Sequence, residues 1–316
     1  SLTQLAMGRD HLYHPRAASN PTPQAPTASC GRRGPAPVND PTEPAMSKKK
    51  RREIPRFKTP IIETHCHLDY LQGDQLTETL DKARDVGVEK IITIAVSPDN
   101  LDTVKALANS ATDIWGTQGI HPHEAEHYDD DVESRIRENL KTDARLLAVG
   151  EIGLDYFYDH ADRAVQCKVF EQQLQIAVDL QLPVVIHTRD ADEDTRAILA
   201  NFSGRLPNKG VIHSFTSGMK LAQYCLGEGF MLGFNGISTF NRADNVREVI
   251  AATPVKQAPL EKDAPYLTPV PYRGRPNASS DLPFIAEQVA ETMQMEVEEL
   301  LGQVYRNSQT LFFGNA

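Results

Sequence analysis

The stretch Ile61-Ile62-Glu63-Thr64-His65-Cys66-His67-Leu68-Asp69 combines the pattern of a buried strand with two histidines at its carboxyl end. Its apolar run contains β-branched residues and follows Pro60, which favours a strand. Because side chains alternate between the two faces of an extended chain, His65 and His67 point one way and Cys66 the other. Two imidazoles about 7 Å apart on one face can converge on a metal ion. The alternative is that they are two ordinary histidines at the surface or the rim of the core. The rest of the chain has to decide between the two interpretations.

The same order of strand, turn and helix repeats from Thr59 onward. Predicted strands cover Ile61–His65, Lys90–Val96, Ile114–Ile120, Leu146–Glu151, Pro183–His187, Gly210–His213, Phe230–Gly236 and Val255–Asp263. Helical periodicity covers Asp74–Val86, Asp99–Ala111, Asp129–Lys141, Asp162–Leu180, Asp192–Phe202, Gly218–Gly227, Arg242–Thr253 and Asp281–Met293, with short closing helices at Glu296–Gly302 and Tyr305–Phe313. Eight such units predict an α/β fold of the (β/α)8 TIM-barrel type, with its active site at the carboxyl ends of parallel strands. A doubly wound open sheet is the alternative, but the sequence lacks the glycine-rich turn expected after its first strand.

Residues 1–58 differ in composition from the rest of the chain. They carry 11 Lys and Arg against 4 Asp and Glu, and residues 1–45 contain eight prolines. We expect residues 1–58 to be a disordered extension and residues 1–45, which precede Met46, to be a tag or an over-extended start. The basic run Lys48–Arg52 is either a solvated tail or an arm that binds nucleic acid. Residues 59–316 then form one barrel domain.

The charge of the chain limits what it can bind without help. The net charge is −10, and the +7 balance of residues 1–58 leaves −17 for residues 59–316. Because so acidic a domain repels a nucleic-acid backbone, a substrate that carries phosphate would need a divalent metal and a few local cations to be held. No apolar run approaches the roughly 18 residues of a membrane span. Four scattered cysteines and the lack of an apolar signal segment predict a reducing, cytoplasmic location.

Further predicted strands end in residues that bind metals. These residues are Glu151, His187, His213 and Asp263. In a closed parallel barrel all such ends meet at one rim, together with the two histidines of the first strand. Four imidazoles and two carboxylates are a ligand set for two divalent ions, with Glu151 placed to bridge them. Two carboxylates offset only part of the charge of two cations, so the site could grip an anionic phosphate and activate a water for attack on it.

Seven phrases of the chain resemble the motifs of the TatD family of metal-dependent hydrolases, and they occur in the same order. They are THCHLD, GIHPHEA, GEIGLDYFYD, VIHTRDA, IHSFTSG, DAPYLTPVPYRG and NSQTLF, spread from about Ile61 to Phe313. The resemblance implies a (β/α)8 barrel and a 3′→5′ exonuclease acting on DNA, on single strands or 3′ ends, with Mg²⁺ or possible substitutes Mn²⁺ and Zn²⁺. Carried over by motif, the metal ligands are His65, His67, Glu151, His187, His213 and Asp263. We assign the catalytic roles to Glu151, as the bridge, and Asp263, as ligand and proton acceptor, and we expect a monomer.

Other residues are candidates for substrate binding. His121 and His123 close the third strand and either donate to substrate phosphate or make supporting hydrogen bonds. Asp155 either orients a ligand or caps a turn. Arg189 and Arg273 supply the local cations that an acidic body needs, since arginine suits bidentate phosphate contact. The aromatic residues Phe157, Tyr158 and Phe215 either stack on a base or belong to the core.

The eighth strand departs from the family pattern of an apolar run followed by Glu-Thr-Asp. Pro259 should remove one ladder hydrogen bond, and Lys262 replaces a small hydroxyl residue beside Asp263. We expect Lys262 to face the helix layer, where burial of an ammonium costs stability. The altered strand leaves open an inactive metal-binding scaffold. A second alternative, implied by relatives in the wider superfamily, is hydrolysis of ester, amide or aminoacyl-tRNA bonds at the same metal centre.

Overall fold

A sheet of parallel strands surrounded by helices forms the body of the computed structural model, which describes residues 52–236, 243–262 and 281–314. Seven strands pair in chain order within these ranges. They are β1 (Ile61–Cys66), β2 (Val88–Thr93), β3 (Ile114–Gln118), β4 (Leu146–Asp155), β5 (Val184–Arg189), β6 (Gly210–Ile212) and β7 (Met231–Leu232). Every residue of β1 is buried, as expected for a parallel strand covered on both faces. The predicted (β/α)8 fold class is confirmed.

Helices follow the strands in the alternating order that the sequence predicts. They are α1 (Gly73–Asp85), α2 (Leu101–Ala108), α3 (Asp130–Thr142), α4 (Arg163–Leu180), α5 (Asp192–Phe202), α6 (Met219–Glu228), α7 (Asp244–Ala252), α8 (Leu282–Thr292) and α9 (Val297–Phe313). Asp129 and Asp162 accept hydrogen bonds from the first backbone N–H groups of α3 and α4, as expected of aspartate N-caps. The two predicted closing helices are one helix, because Leu301, Val304 and Leu311 continue a single buried stripe along α9.

The prediction of an eighth strand from Val255 is wrong at its beginning. Val255–Gln257 forms a 3-10 turn between Pro254 and Pro259. Asn307 of α9 donates to the carbonyl oxygens of Val255 and Ala258, at 2.7 and 3.0 Å, in place of a strand ladder. The proline at either side cannot donate to a ladder, which explains why an extended strand does not start here.

Residues 258–262 nevertheless lie between β7 and β1, where the eighth strand of a barrel belongs. Leu260 forms an isolated parallel bridge with Phe234 just after β7. Towards β1, the Thr64 hydroxyl donates to the carbonyl oxygen of Leu260 at 2.9 Å. The backbone N–H of Lys262 donates to the Glu63 carboxylate, also at 2.9 Å, and the Lys262 side chain is fully buried. Side-chain hydrogen bonds therefore replace part of the ladder at this seam.

The pairing of β4 with β5 brings the predicted ligands of these two strands together. The register runs from Val149 opposite Val184 to Asp155 opposite Arg189, with Gly153 opposite His187. Gly153 has φ +140°, and a Cβ at this position would overlap the carbonyl oxygen of His187. Glycine is therefore required for β4 to approach β5 this closely. The described helices contain none that is both long enough and apolar enough to cross a bilayer.

Candidate metal centre

Glu151 lies fully buried at the centre of a ring of histidines. Oε2 of Glu151 is 3.4 Å from Nε2 of His65 and 4.0 Å from Nε2 of His67. Oε1 is 3.3 Å from Nδ1 of His187 and 3.8 Å from Nε2 of both His121 and His213. One carboxylate, placed on β4, is thus shared by imidazoles that follow or end β1, β3, β5 and β6. Such sharing is the geometry required of a bridging ligand.

The ionisation of these groups follows from burial and close packing. Burial alone would raise the pKa of the Glu151 carboxyl, but the imidazoles of His213 and His65 hold it well below its ordinary value. Burial lowers the pKa of His65, whose ring stacks on that of His213 with centroids 3.4 Å apart. A neutral imidazole at His65 and an ionised carboxylate at Glu151 are the protonation states in which these two groups bind metal.

Asp155 holds two of the histidines in place. Its Oδ2 accepts hydrogen bonds from Nε2 of His187 at 2.8 Å and from Nε2 of His123 at 3.1 Å. Burial would raise the pKa of Asp155, but the hydrogen bonds from His123 and His187, the charge of His187 and the backbone N–H of Tyr158 together hold it well below its ordinary value. Burial likewise opposes the charge on His187, yet the hydrogen bond to Asp155 and the nearby carboxylate of Glu151 raise its pKa to about 9. With Nε2–H donating to Asp155, His187 turns Nδ1 towards Glu151, and a metal ion at Nδ1 would displace the proton that the raised pKa keeps there.

A second carboxylate, Glu261, has the same relation to His213. Its Oε1 lies 3.0 Å from Nδ1 of His213 and accepts a hydrogen bond from the backbone N–H of Ser214. The sequence interpretation did not include Glu261 in the site. The spacing of Glu261 could have indicated it, because Glu261 is two residues from the predicted ligand Asp263 and residues two apart in an extended segment share a face.

His121 is oriented differently from the other histidines. Its Nδ1 accepts the backbone N–H of His123 at 3.1 Å, and burial holds its pKa well below the ordinary value. A neutral ring that accepts at Nδ1 carries its proton on Nε2. This Nε2 is buried beside Glu151 without a hydrogen-bond partner among the described residues. His121 therefore presents a donor to the centre, which favours the predicted contact with substrate over metal ligation.

Among the residues that the structure describes, three groups of side chains could hold a divalent ion, because their ligand atoms lie within 4.8 Å of one another. They are His65, His67 and Glu151; His65, His213 and Glu261; and His121, Glu151 and His187. The third group would bind an ion only if His121 gave up the proton on Nε2. Oε2 of Glu261 is buried and has no hydrogen-bond partner in the described ranges. This carboxylate oxygen is therefore available to a metal ion, and a mixture of imidazole and carboxylate ligands suits Mg²⁺, Mn²⁺ or Zn²⁺. The donor set therefore fits a metal centre.

A family model described as "TatD related DNase" matches residues 62–313 of the chain. The chain belongs to the TatD family. It is 33% identical to the metal-dependent hydrolase YabD of Bacillus subtilis, with 80% of this chain and 98% of YabD covered. A second TatD-family relative, named 3′-5′ ssDNA/RNA exonuclease TatD, from Cronobacter turicensis, is 33% identical over 76% of this chain and 92% of its own length. The chain is thus a metal-dependent hydrolase of this family.

Solved structures of TatD proteins have the same fold. The crystal structure of the Escherichia coli TatD homologue YjjV superposes with a TM-score of 0.76 at 30% identity, covering 80% of this chain and 98% of that one. A TatD-family hydrolase from Entamoeba histolytica gives 0.71 at 20% identity, covering 81% of this chain and 99% of that one. At that level of identity the second match shows the fold alone.

The predicted TatD site residues divide into three sets. Five of the six predicted ligands surround or include Glu151: His65, His67, Glu151, His187 and His213. The sixth, Asp263, and the predicted phosphate contact Arg273 lie outside the described residues. Arg189 and the supporting residues Asp155 and His123 lie beside the centre. Phe215 is buried in the core with 2% of its surface exposed, so the alternative of base stacking is excluded for this residue.

Replacement of Gly233 with alanine should disturb the metal centre through Glu261. A Cβ on Gly233 would lie 2.5 Å from the carboxyl carbon of Glu261, which is packed against His213. We expect a loss of about 1–3 kcal/mol in the free energy of unfolding, together with weaker metal binding. Urea denaturation and titration with Mn²⁺ measure the two effects.

Gly227→Ala is the matched control. Its Cβ would meet nothing within 4 Å, and alanine should stabilise α6 relative to glycine. Equal stability of the two variants would contradict the packing of Glu261.

Proposed function

We propose that this TatD-family hydrolase cleaves phosphodiester bonds at the 3′ end of DNA with two divalent ions, with Mg²⁺ as the first choice. The observation that supports the proposal is the single buried carboxylate of Glu151 shared by histidines from four strand ends. The family description as a DNase and the exonuclease name of one relative favour nucleic acid as the substrate class. The six proposed ligands are His65, His67, Glu151, His187, His213 and Asp263.

The residues of the chain divide the work at this centre. Divalent ions bound here would polarise the phosphodiester and activate water. Asp155 and Glu261 orient His187 and His213, so that the opposite ring nitrogens face Glu151. His121 directs its Nε2–H at the centre, where it can donate to a phosphate oxygen. Asp263, two residues beyond Glu261, is the proposed proton acceptor.

A substrate panel tests the proposal. We expect release of mononucleotides from 3′-labelled single-stranded DNA with Mg²⁺, abolition by a chelator and restoration by Mg²⁺, Mn²⁺ or Zn²⁺. RNA of the same sequence and an aminoacyl ester complete the panel, and the Glu151→Gln protein controls for contaminating nuclease. Hydrolysis of the ester alone would replace the proposal with the ester or aminoacyl-tRNA alternative. Full metal binding without hydrolysis of any substrate would support the inactive scaffold.

A further inference from the structure

An exposed phenylalanine stands next to the metal centre. Phe157 is the one large hydrophobic side chain that is exposed within the described part of the chain, with 53% of its surface accessible. It lies two residues beyond Asp155, at the carboxyl end of β4 where a barrel carries its active site. A single exposed aromatic ring is ordinary on a protein surface, but its place at this rim leaves its face accessible to a substrate of the centre.

The ring is part of a pre-formed stack. The guanidinium carbon of Arg189 lies 3.9 Å from the Phe157 ring centroid and 5.3 Å from that of Tyr158. The rings of Phe157 and Tyr158 meet edge to face at 4.9 Å. Tyr158 in turn stacks on His160, with the two ring planes 8° apart. Arginine and aromatic planes held together in this way match the flat face of a nucleobase.

One carboxylate fixes this stack relative to the metal centre. Oδ1 of Asp155 accepts the backbone N–H groups of Phe157 and Tyr158 at 3.1 and 2.8 Å. Oδ2 of the same side chain accepts the hydrogen bonds from His187 and His123. The stack and the proposed ligand His187 are thus attached to opposite oxygens of the buried Asp155 carboxylate. A base that lay on the stack would therefore be held in a constant position relative to the reacting phosphate.

The neighbouring cleft indicates which base would be held. A cleft of about 680 Å³ borders Arg189 and is lined by further residues of the loops after β5 and β6. Its lining contains four carboxylates, Asp190, Asp192, Glu193 and Asp194, against the two guanidinium groups of Arg163 and Arg189. A polynucleotide that continued through this cleft would be repelled. The stack therefore suits the last base of a strand, which needs no continuation through the cleft, rather than an internal base.

We propose that Phe157 and Arg189 form a stacking platform for the 3′-terminal base of a single-stranded substrate. The proposal rests on the function proposed above and adds a specificity device to it. We expect kcat/KM to differ little among the four terminal bases, because each has a flat face that can stack. We expect kcat/KM to be much lower for a strand whose terminal nucleotide lacks its base.

Two measurements on the full chain test the platform. The first compares kcat/KM for DNA with an ordinary 3′ nucleotide and DNA with an abasic 3′ nucleotide. We expect a ratio of roughly tenfold in the unaltered protein, a fall towards one in Phe157→Ala, and retention in Phe157→Trp. The second measures quenching of a 3′-terminal 2-aminopurine on binding in Ca²⁺, which reports stacking without turnover.

Tyr224→Ala is the matched control, because Arg196 packs over Tyr224 on α6 at 5.1 Å in a similar arginine–aromatic pair. It should leave both readouts unchanged. Equal rates on the two DNA ends, with no effect of Phe157→Ala, would overturn the platform and leave the nuclease proposal standing. Quenching that depends on Phe157 without hydrolysis of either DNA would overturn the nuclease proposal and support the platform. Failure to bind or hydrolyse would overturn both.

Discussion

Replacement of Glu151 with glutamine is expected to lower the rate of hydrolysis by roughly 10³-fold. Glu151 is fully buried and belongs to two of the three groups of side chains that could hold an ion. The amide keeps the size of the side chain but removes the charge that two cations would share. Steady-state kinetics at saturating Mg²⁺, together with the number of Mn²⁺ ions bound, measure the loss.

The exposed Glu138 of α3 provides the control for this substitution. Glu138→Gln makes the same chemical change on the surface and should alter neither the rate nor the metal content. A Glu151→Gln protein that kept full metal content and a rate within tenfold of normal would refute the bridging role of Glu151.

The second large effect is expected for Asp155→Asn. The asparagine cannot accept hydrogen bonds from two histidines and two backbone N–H groups as the carboxylate does. We expect metal affinity to fall about 10- to 100-fold, because His187 loses the group that orients it. We also expect the metal-free protein to lose about 2–3 kcal/mol of stability, since buried donors lose their charged acceptor.

Isothermal titration with Mn²⁺ and urea denaturation in chelator measure these two losses separately. Asp159→Asn is a matched control, because Asp159 lies four residues further along the chain and pairs with Arg163 at the surface. Asparagine also tolerates its φ of 53°. Normal metal affinity in Asp155→Asn would show that the carboxylate only caps the turn at Phe157 and Tyr158.

Much of the candidate site could be predicted from the sequence, because each ligand is tied to the end of an apolar strand. His187 ends a run of buried β-branched residues, and parallel pairing then requires it to lie beside β4. The alternation of side chains placed His65 and His67 on one face, and both indeed approach Oε2 of Glu151. These features depend on local periodicity and on the topology of a closed sheet, which the order of elements specifies.

Other features depend on contacts between distant segments. The spacing of Glu261 from Asp263 indicates a shared face, but it does not indicate a contact with His213, since 48 positions separate the two and only the seam of the barrel brings them together. Phe157 and Phe215 could not be told apart by residue type, yet one is exposed and the other belongs to the core.

The sequence by itself determined the fold class and the family, and it predicted the histidines that surround Glu151, because strand periodicity and motif order are local properties of the chain. Only the tertiary structure decided what each polar group does: which carboxylate is shared, which ones orient histidines, and which aromatic ring faces solvent. The physical reason is that pKa, hydrogen-bond direction and exposure depend on neighbours brought from other strands, and the folded barrel alone supplies them.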